Sequence, residues 1–194
     1  MKRICVFCGS SKGLKPAYRE AAVEIGRAIA AKGFELVYGG GNIGLMGELA
    51  DAALEAGGRV IGVIPDGLLR REVGHLHLTE LHIVSSMHER KAMMAELSDA
   101  FVALPGGYGT LEEFFEIVTW AQLGMHRKPC GLLNVSGYFD PLLDMIDRAN
   151  EEQFLRPHHR ELVLVASQVD DLLDQMARYR PPMSLDKWID RKSA

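Results

Sequence analysis

Two short clusters in this chain carry residue types suited to charge-stabilising chemistry. The first is Met87-His88-Glu89-Arg90-Lys91; the second is Pro105-Gly106-Gly107-Tyr108-Gly109-Thr110-Leu111-Glu112-Glu113. Arg90 and Lys91 bring the full positive charges that a phosphoester wants beside it. Glu113 falls in what reads as the first turn of a helix, where the dipole and nearby amides favour the ionised carboxylate. Beside a bound ribose phosphate, such a carboxylate can stabilise an oxocarbenium-like transition state or attack the anomeric carbon, as in glycosidases. It would be a poor general acid at neutral pH. Both clusters also have a purely structural reading. Thr110 can N-cap the helix while Glu113 at N3 closes a capping box, and Arg90 and Lys91 can form a solvated basic face. The residues alone leave both readings open.

The loops around these clusters favour an anion. Gly9-Ser10-Ser11, Gly39-Gly40-Gly41-Asn42-Ile43-Gly44 with Gly47, and Gly106-Gly107-Tyr108-Gly109-Thr110 each follow an apolar strand-like run and precede a helical pattern. Glycine lets backbone N–H groups approach a phosphate, and helix N-termini add free donors and a positive dipole end. If the strands are parallel, all these loops lie on one sheet edge. Gly39, Gly41 and Gly44 also spell G-x-G-x-x-G, with Asp66 about twenty residues on. That acid sits in a Pro65-Asp66-Gly67 turn and leaves the other loops without a role, so a dinucleotide reading is set aside.

The elements that must position these loops alternate. Candidate strands are Arg3–Cys8, Glu35–Tyr38, Arg59–Ile64, Leu81–Val84, Ala100–Leu104, Cys130–Leu133 and Leu162–Val165. Helical patterns fall near Ala17–Lys32, Leu45–Ala56, Met87–Ser98, Leu111–Leu123, Tyr138–Glu152 and Val169–Arg178. This predicts an α/β fold: a single-domain, Rossmann-like, doubly wound parallel sheet of about seven strands with helices on both faces. Runs such as Ile4-Cys5-Val6-Phe7-Cys8 have the near-continuous apolarity of strands buried on both sides. The domain is expected over residues 1–180, with 181–194 a peripheral extension.

Composition narrows the function classes. The chain has 194 residues, 47% hydrophobic and 25% charged, with a formal net charge of −4. That balance argues against a nucleic-acid partner. No apolar run approaches the roughly 20 residues that span a bilayer, and no signal-peptide core precedes the first strand. A cytoplasmic location with no membrane partner is expected. Cys5, Cys8 and Cys130 are an odd set for a disulfide framework, and Cys5/Cys8 has no second ligand pair for zinc. His75-x-His77 and His158-His159 lack the acids or thiols of a metal set, so no metal and no cofactor is expected. His88 is the one histidine placed near the proposed pocket.

Taken together, the motifs resemble the LOG ("Lonely guy") family, cytokinin riboside 5′-monophosphate phosphoribohydrolases often mislabelled lysine decarboxylases. The resemblance rests on Met87–Lys91 and Pro105–Glu113, on Cys8-Gly9-Ser10-Ser11 and Gly39–Gly47, and on Thr119-Trp120-Ala121-Gln122-Leu123-Gly124; it runs to about Leu155. It implies hydrolysis of the N-glycosidic bond of a cytokinin nucleotide or of AMP, giving free base and ribose 5-phosphate. It implies Arg90 and Glu113 as the catalytic pair. Lys91 and the segment Gly107, Tyr108, Gly109, Thr110, Leu111, Glu112 and Glu113 would hold the nucleotide, joined by Gly9 and Ser10 of the first loop. Glu72 and Thr119 match further substrate-contacting positions. A homodimer is also implied, and the wide apolar arc of Phe114, Phe115, Ile117, Val118 and Trp120 is compatible with an interface.

Two other classes compete. Decarboxylation of an amino acid needs an electron sink such as pyridoxal phosphate on a Schiff-base lysine, and Lys91 gives no specific signal for one. A non-catalytic nucleotide or cofactor carrier of related fold would have a glycine cleft without an Arg90/Glu113 pair.

Overall fold

A computed structural model of the chain describes residues 1–69, 74, 75 and 77–182. The elements run β1 (Arg3–Phe7), α1 (Pro16–Ala31), β2 (Glu35–Tyr38), α2 (Gly44–Glu55), β3 (Val60–Pro65), α3 (Asp66–Leu69), β4 (Glu80–Val84) and α4 (Met87–Leu97). They continue with β5 (Ala100–Ala103), α5 (Tyr108–Gln122), β6 (Cys130–Leu133), α6 (Asp140–Glu151), α7 (Pro157–Arg160), β7 (Val163–Ala166) and α8 (Val169–Arg178). All seven strands pair in parallel, in the order β4-β3-β2-β1-β5-β6-β7. The expected strands are therefore all present, shifted by a residue at some ends. The one-turn helices α3 and α7 were not anticipated, and Asp66 opens α3 rather than sitting in a turn.

Strand periodicity assigns the two cores. Ile4 and Val6 of β1 pack with residues of α1, α2 and α8, whereas Cys5 and Phe7 pack with α4 and α5 and with Phe139 and Leu142 around the start of α6. Successive side chains on a strand point to opposite faces, so β1 needs apolar residues at every position beyond Arg3. From Ile4 to Phe7 none is more than 4% exposed. Among the described residues, no helix is long and apolar enough to cross a membrane.

The chain builds outward from β1 to β4, then returns to place β5 on β1's other side. The connections leaving β1 and β5 therefore diverge, and a crevice opens between them at the strands' carboxyl ends. Backbone bonds close its floor: Leu104 N–H donates to the Phe7 carbonyl (2.9 Å) and Gly9 N–H to that of Pro105 (3.2 Å). The predicted chemistry falls on this edge.

Candidate active site

Helix α5 starts three residues earlier than its sequence pattern suggests. Gly107 is the N-cap, no side chain caps the helix, and Tyr108 is its first residue. The capping box of Thr110 and Glu113 is therefore not formed. Thr110 lies inside the first turn, buried at 4% exposure, with its hydroxyl against Gly106. A Cβ on Gly106 would come within 2.1 Å of that oxygen, so only glycine lets the loop lie this close. No group among the described residues accepts a hydrogen bond from the amides of Tyr108, Gly109 or Thr110. Uncapped amides at a helix start are ready anion donors. At α2 the arrangement is different: Leu45 N–H donates to the Gly9 carbonyl (3.0 Å), and Gly44 packs on Ser10, where a Cβ would sit 2.2 Å from backbone. The first loop thus closes the start of α2 and leaves the start of α5 open.

Glu113 then lies in the second turn, beyond the reach of most of the dipole's effect. A different positive group serves it. Arg90 projects from α4, whose start is fixed by Ser86: its hydroxyl accepts from Glu89 N–H (3.1 Å), while the Glu89 carboxylate accepts from Ser85 N–H and Oγ (2.8 and 2.6 Å). Those Ser85 bonds hold the Glu89 carboxyl below its usual range. The capping chemistry foreseen at α5 is thus found at α4.

The Arg90 guanidinium is anchored on three sides. Nε donates to the Val63 carbonyl (3.1 Å), Nη2 to the Gly39 carbonyl (3.3 Å), and Nη1 lies 3.3 Å from Glu113 Oε1. A Cβ on Gly39 would fall 2.0 Å from Nη2, so the glycine is the seat of the arginine. Arg90 is 7% and Glu113 9% exposed. A buried pair of this kind gains little net stability once desolvation is charged against it; what it fixes is the position of the carboxylate. Helical side chains lean toward the N-terminus, which carries Glu113 toward the open amides.

These groups line one cleft of about 280 Å³: Cys8, Gly9, Ser10, Met46, Leu68, Met87, Arg90, Gly107, Tyr108, Gly109, Thr110, Glu112 and Glu113. The only thiol on its wall, Cys8, is pushed far up by burial and then by the Glu113 charge, so it stays neutral. Met46, Leu68 and Met87 give the cleft an apolar side.

Most of the residues picked from sequence thus meet in one place, and the others do not. Lys91 points to α5 instead, where Nζ bonds Glu112 (2.5 Å) and Glu116 (3.1 Å). Burial lowers its pKa, but the two carboxylates outweigh that and leave it raised. Leu111 is half-buried, and Thr119 is exposed with its hydroxyl on the Phe115 carbonyl (2.7 Å). His88 is exposed and lies off the cleft wall. Glu72 lies outside the described residues. The second glycine loop contributes no glycine to the wall; Gly39 seats Arg90 and Gly44 packs on the first loop. Sequence reasoning missed that seat, because the contact joins residues 51 apart.

A family model described as "possible lysine decarboxylase" matches residues 46–176. A protein of Oryza sativa subsp. japonica named probable cytokinin riboside 5′-monophosphate phosphoribohydrolase LOGL2 is 52% identical over 180 residues, 93% of this chain and 74% of its own length. Cytokinin riboside 5′-monophosphate phosphoribohydrolase LOG7 of Arabidopsis thaliana is also 52% identical, over 93% of this chain and 83% of its own. Among solved structures, the molybdenum cofactor carrier protein of Chlamydomonas reinhardtii superposes with a TM-score of 0.68 at 23% identity, over 92% of this chain and 99% of that one. At that identity the likeness is one of fold.

Proposed function

The chain belongs to the LOG family of phosphoribohydrolases, and from that premise we propose that it hydrolyses the N-glycosidic bond of an adenine nucleoside 5′-monophosphate. The observation that carries the reading is the Arg90–Glu113 pair, held rigidly in the same cleft as the open amides of α5. The 5′-phosphate sits on the amides of Tyr108, Gly109 and Thr110, with Gly9 and Ser10 opposite. Arg90 orients Glu113 and adds a positive charge to the phosphoribosyl side. As the C1′–N bond lengthens, its electron pair leaves with the base, and Glu113 stabilises the positive charge growing on C1′. Water then adds its oxygen to C1′; one of its protons ends on the base and the other stays on the new anomeric hydroxyl. The products are free base and ribose 5-phosphate. Lys91 ties α4 to Glu112 on the cleft rim and supports the wall from behind.

The apolar side formed by Met46, Leu68 and Met87 suits a base with an N6-isoprenoid group, so a cytokinin nucleotide is the favoured substrate and AMP the second. Lys91 also bears on the decarboxylase description. A Schiff-base lysine works as a neutral amine, whereas Lys91 has its pKa raised by two carboxylates. A homodimer would cover the half-buried Phe115 and Trp120 on α5, and three free buried thiols suit a reducing cytoplasm. A single catalytic domain over residues 1–180 is part of the same reading.

The test is direct. Incubation with AMP, isopentenyl-AMP and the corresponding nucleosides should release free base only from the monophosphates, fastest from the N6-modified one. Release from nucleosides at equal rates would remove the phosphate site from the account.

A further inference from the structure

Behind the loop that carries the open amides lies a second hollow of about 240 Å³, with Tyr18, Tyr138, Leu45 and Pro105 in its wall. Gly107, with Gly9 and Ser10, lines both this hollow and the cleft, whereas Gly106 lines the hollow. The Tyr138 hydroxyl donates a 2.5 Å hydrogen bond to the Gly106 carbonyl.

We infer that Tyr138 is a positioning residue for phosphate binding: by holding the Gly106 carbonyl on the rear side, it aims the Gly107 N–H into the cleft. The inference rests on the reading that the 5′-phosphate occupies the start of α5. Its core is peptide geometry. The carbonyl of Gly106 and the amide of Gly107 belong to one planar trans unit, so they point in opposite directions; the described chain has no cis peptide bond. Fixing one end fixes the other. Two successive glycines leave that unit otherwise free to rotate, and the contact of Gly106 with Thr110 and Gly9 leaves no room for a side chain that could restrain it.

Tyr138 is itself firmly placed. It lies between β6 and α6, in a loop clasped by Asn134, whose Oδ1 accepts from Phe139 N–H (2.8 Å) and whose Nδ2 donates to Asp140 (2.6 Å). Its ring meets the edges of Tyr18 and Phe139 with centroids 5.6 and 5.0 Å away. Ser136 in the same loop has a φ of +53°, a left-handed conformation unfavourable for a non-glycine residue. The fold tolerates this strain in the loop that delivers the hydroxyl to Gly106.

The experiment compares wild type with Tyr138→Phe, which deletes only the hydroxyl. Calorimetry with ribose 5-phosphate and inhibition by adenine are measured alongside nucleotide turnover. Loss of one oriented amide donor should weaken ribose 5-phosphate binding and raise the nucleotide KM by about three- to tenfold, with kcat and adenine inhibition unchanged. Unchanged ribose 5-phosphate affinity, or an equal loss for adenine, overturns the inference. Should Tyr138→Phe not fold, Asn134→Ala, which loosens the loop and keeps the tyrosine, carries the same test and the same two outcomes. Binding is read without turnover, so a wild type that binds ribose 5-phosphate in a Tyr138-dependent way but releases no base would refute the hydrolase and leave this assignment standing. A wild type that binds no ribose 5-phosphate refutes the assignment.

Discussion

Gly39→Ala tests whether the arginine's seat governs the chemistry. The added methyl would lie 2.0 Å from Arg90 Nη2 and 3.2 Å from Cζ. The guanidinium must retreat by roughly 1.4 Å to reach ordinary contact at 3.4 Å. Its bond to the Gly39 carbonyl and its 3.3 Å approach to Glu113 cannot both survive that shift. The backbone itself is not the obstacle, since Gly39 is not among the residues with positive φ. A hydrogen bond to a charged group contributes about 1.5–3 kcal/mol. At about 1.4 kcal/mol per tenfold, kcat/KM should fall by roughly ten- to a hundredfold. The assay is base release from isopentenyl-AMP, with a thermal melt to separate misplacement from unfolding. A double-mutant cycle makes the reasoning refutable: if the methyl acts through Arg90, Gly39→Ala should cost almost nothing further in an Arg90→Ala background. Full additivity of the two losses would show that Gly39 acts by another route.

Other outcomes follow from the same contacts. Ser86→Ala removes the cap of α4 and should cost about 1 kcal/mol of stability, read as a lower denaturation midpoint; an unchanged midpoint would mean that the Glu89 bonds to Ser85 suffice. Lys91→Met leaves Glu112 and Glu116 unpaired, and should destabilise the fold more than it weakens nucleotide binding; the reverse order would place Lys91 on the ligand. Because the Lys91 pKa is raised in the folded state, its contribution is complete below the ordinary lysine value. It should fade as pH climbs through the raised one, so the destabilisation by Lys91→Met should hold around neutral pH and shrink in strong alkali. Burial pushes Cys5 and Cys8 far up and Cys130 to about 12; all three thiols should resist alkylation in the native protein and react in denaturant. Rapid native labelling would contradict their burial.

The sheet was legible because parallel strands buried on both faces must be apolar at nearly every position, and glycine marks where β1, β2 and β5 end. The edge carrying the site followed from topology alone. What the sequence concealed was the start of α5. Thr110 and Glu113 have the spacing of a capping box, yet Gly107 caps the helix with no side chain, because the loop needs the backbone-to-backbone contact of Gly106 with Gly9. Likewise, the G-x-G-x-x-G string reads as a phosphate loop, but its glycines serve close packing: Gly39 against Arg90, Gly44 against Ser10. The pairing of Lys91 had a signal that could have been used, since Glu112 and Glu116 are four apart on one helix face. The anchors of Arg90 on Val63 and Gly39 had none, being backbone carbonyls 27 and 51 residues away. Tyr138 was hidden for the same reason, acting through a backbone oxygen 32 residues away.

The central claim is that one rigidly held carboxylate, placed beside a phosphate grip, breaks the sugar–base bond. Its most direct test is Glu113→Gln, which keeps shape and hydrogen bonding and removes the charge. The account predicts base release lowered by about two orders of magnitude or more, with ribose 5-phosphate binding and folding close to wild type. Turnover at the wild-type rate in that variant would contradict it.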